Sequence, residues 1–130
     1  MLSQECQNEL HHHWFPHLSD AALTRLIELL ETRSPLLTYG CFNRGSVQGC
    51  LATQAGWHHH RTSHLHHDAG VVWLSEVVGI SPARSHVVRE WDVRASREEE
   101  IYQDLLDELL AERKRRENIL TPAPEQWITV

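Results

Sequence analysis

Ser96-Arg97-Glu98-Glu99-Glu100-Ile101-Tyr102-Gln103-Asp104-Leu105-Leu106-Asp107-Glu108-Leu109-Leu110 decides the fold class. Ile101, Leu105, Leu106, Leu109 and Leu110 recur at three- and four-residue spacing, which on a helix lays them in one stripe. Ser96 and Glu99 have the spacing of a capping box. Residues 98–100 place negative charge at the positive end of the dipole, and residues 113–116 place positive charge at the other. The spacing predicts an amphipathic helix over 97–118. It also explains the basic run locally, without a nucleic-acid patch.

Working outward, the same reasoning recovers further helices. Ser19 caps a helix over 20–33, with Leu23, Leu26, Ile27 and Leu30 on its apolar face. Val71, Val72, Trp73, Leu74, Val77, Val78 and Ile80 read as a central buried helix ending at Gly79. Ser81-Pro82 then opens a shorter helix that carries Val87, Val88 and Trp91 and stops near Asp92. Between Pro35 and Gln54 the helical period weakens. β-favouring residues flank Asn43-Arg44-Gly45-Ser46, so a short β-hairpin is expected over 36–52, with 49–57 as an alternative helix. The fold expected is mainly α, a bundle of three or four helices. Residues 1–18 are expected to form an N-terminal arm broken by Pro16, residues 19–119 a single domain, and residues 120–130 a tail packed on it.

Composition narrows the function classes. The chain has 130 residues, the commonest size for one self-sufficient core. Twelve basic against eighteen acidic residues give a formal charge of −6, which disfavours nucleic acid and anionic membranes as partners. No apolar run approaches the ~18–20 residues of a membrane span. Three cysteines, Cys6, Cys41 and Cys50, do not make a disulfide framework, so a reducing, cytoplasmic setting is the expectation.

Histidine is the outlier, with eleven residues. His58-His59-His60-Arg61-Thr62-Ser63-His64-Leu65-His66-His67-Asp68 gathers six imidazoles and a carboxylate. A neutral imidazole offers a lone pair to zinc, nickel or copper without bringing a charge to be desolvated. On a helix His60, His64 and His67 face one way, and these three are the expected metal ligands, for zinc or nickel. A second geometry has Ser63 capping a helix whose first turns carry His64, His66 and His67. A third reading leaves the stretch a solvated connection with its rings pointing apart. His11, His12, His13 and His17 form a second set, which completes a site only by folding back. Protonation of all eleven imidazoles moves the charge from −6 to +5, which makes the chain acid-responsive without a dedicated site.

Other constellations are weaker. Cys41 and Cys50 face each other only if the hairpin turns on Gly45-Ser46; the three-residue loop favoured by Asn43-Arg44-Gly45 sets Cys41 opposite Val47 instead. Cys50, His58 and Asp68 supply the residue types of a nucleophilic trio without its spacing. Glu90 and Asp92 flank Trp91 as a conceivable acid and base, with surface charge around a core tryptophan as the simpler reading. Of the five tryptophans, Trp57 is expected at a pocket rim and the other four as core or terminal anchors. Metal binding through the central histidines is therefore the leading expectation. The competing one is a non-enzymatic interaction module or homo-oligomer that uses the C-terminal amphipathic helix.

Overall fold

Caps and apolar stripes generate six α-helices among the residues that the computed structural model describes, 1–39, 43–44, 48–62 and 68–120, with only backbone described at 43, 44, 48 and 120. They are α1 (Gln4–Glu9), α2 (Asp20–Glu31), α3 (Leu51–Trp57), α4 (Ala69–Val72), α5 (His86–Arg89) and α6 (Glu99–Leu120). Helices α1, α4 and α5 run on into wider π turns at Leu10–Trp14, Trp73–Val78 and Glu90–Ala95. The protein is mainly helical. The helix count exceeds the expected three or four partly because the N-terminal segment is itself helical.

That segment corrects the expectation of an arm. Leu2, Cys6, Leu10, Trp14, Phe15 and Leu18 are all buried and belong to the main hydrophobic cluster. Four-residue spacing overshoots a full α-helical turn at each step, so the stripe is hard to see in the sequence. The wider turn at Leu10–Trp14 offsets the drift. Pro16 sits in the 3₁₀ turn Phe15–His17 that closes the segment.

Helix α2 begins where the sequence predicts, with the Ser19 hydroxyl accepting from Ala22 N. It ends in a Schellman-type reversal, in which Ser34 N reaches Leu29 O and Arg33 takes a positive φ of 49°. Helix α6 packs along α2 and buries Ile101, Leu105, Leu106 and Leu109, each contributing roughly 1.5–3 kcal/mol. Its stripe is thus buried inside the chain. The capping box is a correction: Ser96 donates to Asp92 O, and Glu98 O starts the helix by accepting from Ile101 and Tyr102 N. Because α6 continues to Leu120, the basic residues lie before its last turn, where Arg115 and Arg116 clamp Glu112.

Each fully buried tryptophan lies in one of the π turns. Trp14 meets Trp73 edge to face at 5.0 Å, and Trp91 stacks on Tyr39 at 4.3 Å and donates to Thr38 O at 2.7 Å. Helices α3 and α4 approach so closely that glycine is required at both contacts. A Cβ on Gly56 would stand 2.5 Å from Ala69 O, and one on Gly70 2.4 Å from Thr53 Oγ1. Gly79 ends the π turn at φ 87°, as its sequence position predicts.

Over 36–52 the described residues hold a two-pair antiparallel ladder, β1 (Asn43–Arg44) with β2 (Gln48–Gly49). Asn43 and Arg44 therefore pair rather than turn, and Arg44 opposite Gln48 matches neither expected register. Leu37 bridges Gly49 in parallel, and Cys50 already serves as the N-cap of α3. Cys41 lies outside the described residues.

Candidate functional site

The C-terminus of α3 and the N-terminus of α2 are tied together by one hydroxyl. Ser19 Oγ donates to His58 O at 2.6 Å while accepting from Ala22 N. Beyond α3 the chain coils through 58–62, with Thr62 Oγ1 donating to Gly56 O at 2.7 Å to lock the turn. This brings the start of the central His-rich stretch against the end of the N-terminal one. His17, Leu18, Ser19, His59, His60 and Arg61 line a single cleft of about 460 Å³.

Within the cleft the imidazoles differ. His59 is 7% exposed and its Nδ1 accepts from Arg61 N at 3.1 Å, so the neutral ring carries its proton on Nε2 and has no lone pair left for a metal. Burial, then the neighbouring His60, Arg61 and His17, hold its pKa below the ordinary imidazole value. His60 stacks on it at 4.6 Å and is exposed. His59 is therefore the post against which His60 rests, and His60 and His17 are the exposed histidines among the residues that line the cleft.

Of the three expected ligands, His60 stands at this cleft while His64 and His67 lie outside the described residues. His60 is in the turn that follows α3, and its alignment with His64 and His67 falls outside the described residues. The next described helix has Asp68 as its N-cap residue, and the second helical geometry, which rests on Ser63, His64, His66 and His67, falls outside the described residues. Among the described residues no three His, Cys, Asp or Glu side chains are grouped to hold an ion. Trp57 is half-buried and is not among the residues lining the cleft.

The remaining polar clusters are structural. Glu9, 5% exposed, accepts from Trp14 Nε1 at 2.8 Å, Ser85 Oγ at 2.5 Å, His86 N at 2.7 Å and Val87 N at 3.3 Å, and so fastens α1 to the start of α5. Sequence reasoning missed it, since three of its four partners lie far along the chain. Glu90 is engaged through both oxygens by Arg94, at 3.2 and 3.0 Å. Cys50 is buried against Thr53, and burial pushes its thiol up to about 11; burial and nearby carboxylates push Cys6 up to about 12. Neither is a nucleophile at neutral pH. Among the described residues no helix is long and apolar enough to cross a membrane.

No protein-family model, curated protein or solved structure matches the chain.

Proposed function

We propose that the protein binds a divalent transition-metal ion, zinc or nickel, through imidazoles gathered at the cleft between the start of α2 and the turn at 58–62. His17 and His60 are the ligands taken from the described residues, and His64 and His67 of the adjoining stretch complete the set. One observation carries this reading: the two separate His-rich segments of the sequence meet at one cleft, with His17 and His60 both on its wall. Neutral imidazoles suit such an ion at neutral pH. The fixed tautomer of His59 excludes that ring and leaves it a positioning role.

The test is metal analysis of tag-free protein purified without metal-affinity resin, together with thermal melts. Near-stoichiometric zinc or nickel, with a melting temperature that falls on chelation, is the expected result. Absence of metal, with no shift on chelation or on adding either ion, overturns the proposal.

A further inference from the structure

Where α2 ends, the chain reverses on a residue whose place glycine ordinarily fills. Arg33 takes the left-handed conformation there, φ 49°, which costs a residue with a Cβ backbone energy that glycine avoids. What arginine adds is its side chain. The guanidinium carbon lies 4.2 Å from the centre of the Tyr102 ring, and Glu99 accepts from the guanidinium at the surface. Arg33, Ser34, Pro35, Tyr39, Trp91 and Tyr102 line a hollow of about 200 Å³. Its aromatic side is held in place by hydrogen bonds to backbone: Tyr102 donates its hydroxyl proton to Leu30 O and Trp91 Nε1 donates to Thr38 O, both at 2.7 Å, while Tyr39 stacks on Trp91 with the ring planes 17° apart. Those indole and phenol protons are spent, so the two rings offer apolar surface. Donors come from the other side. Besides Arg33 there is Ser34, whose Oγ accepts from Leu36 N at 3.2 Å and whose proton is unclaimed among the described residues.

We infer that this hollow binds a small aromatic carboxylate, its ring against Tyr39, Trp91 and Tyr102 and its carboxylate on Arg33 in place of Glu99. Size sets the ring count. The volume falls below the roughly 300–1,000 Å³ of pockets for drug-sized ligands, which restricts the occupant to a single-ring molecule. Charge sets the functional group. The face of Tyr102 already holds a cation of the chain's own, so the hollow does not serve as a cage for a foreign one, and the complement of the guanidinium fork is a carboxylate. Glu99 occupies that role through an exposed pair, with side chains 54% and 69% exposed, and such a pair is weak enough to exchange. A carboxylate that brings an aromatic ring gains the buried wall as well, which Glu99 does not. The site shares no lining residue with the histidine cleft and needs no metal.

The test is titration of the nitrogen-15-labelled chain with benzoate, followed at the indole N–H resonance of Trp91, which is assigned by its loss in Trp91→Phe. A saturable shift of that resonance is expected. Arg33→Gly, which suits the left-handed backbone, should keep the far-ultraviolet helical signal and weaken benzoate about tenfold or more. Glu99→Gln, which removes the internal competitor at an exposed position, should tighten it about two- to fivefold. Benzyl alcohol, with the ring and no charge, and acetate, with the charge and no ring, should each bind far more weakly than benzoate. No saturable shift at Trp91 overturns the inference, as does equal affinity in the parent and Arg33→Gly. Weaker binding in Glu99→Gln, or either comparison compound matching benzoate, overturns it as well.

Discussion

Glu9 and His60 belong to two polar clusters that differ in how far their hydrogen-bonding capacity is used. Glu9 is buried, and four donors from two parts of the chain, Trp14 and residues 85–87, converge on its two oxygens. His60 is exposed on the wall of an open cleft that His17 also lines, and it stacks on His59. A satisfied buried carboxylate organises helices, since its removal strands every donor aimed at it. An exposed imidazole backed by a stacked partner contributes little to the fold and keeps a nitrogen for an external ligand. Residue type alone therefore does not separate structural from available polar groups; what separates them is whether the geometry has already paired them.

The contrast is broken most severely at Glu9. Glu9→Ala should cost about 3 kcal/mol or more in urea unfolding, and Glu9→Gln less, because the amide keeps the volume and one acceptor. A Glu9→Ala protein within about 1 kcal/mol of the parent would show the cluster to be incidental. Next comes the contact between α3 and α4. Gly70→Ala drives a methyl against Thr53 and should cost about 1–3 kcal/mol. Gly79→Ala has open space around it and meets only the left-handed φ, for about 1 kcal/mol. Equal effects at the two glycines would contradict the close approach.

A smaller effect is expected at Glu112, a buried carboxylate paired with cations. The bond from Arg115, with that from Arg116, holds its carboxyl below the ordinary range against the opposing pull of burial. The folded value lies below the unfolded one, so this stability is complete above the unfolded carboxyl's value and is lost as pH falls through the folded value. The difference in urea midpoint between the parent and Glu112→Gln should be largest near neutrality and close below about pH 4. A constant difference across that range would refute the pairing. Smallest is thiol chemistry: with Cys6 and Cys50 raised to about 12 and about 11, the folded protein should take up no more than one equivalent of iodoacetamide.

Helices α2 and α6 were legible in the sequence because each buries one stripe, and α2 has a serine cap at its start. The helical segment at 4–14 was not: its four-residue period fits neither an ideal helix nor a strand, and only the π turn keeps the stripe facing inward. The glycine at the end of Trp73–Val78 could be read directly, whereas the glycines joining α3 to α4 show their purpose only once the helices meet. For the candidate site, composition pointed to the histidine stretch and to His60. The approach of His17 depends on Ser19 bridging α2 to His58, a long-range contact with no local signal.

Zinc titration by calorimetry on the parent, on His17→Ala with His60→Ala, and on His12→Ala with His13→Ala tests the central claim most directly. His12 and His13 are exposed residues of the same N-terminal segment and do not line the cleft. The account predicts that the cleft pair weakens binding about tenfold or more and that the control pair leaves it unchanged. Equal weakening by both pairs, or binding indifferent to His17 and His60, would contradict it and make the meeting of the two histidine segments a matter of packing alone.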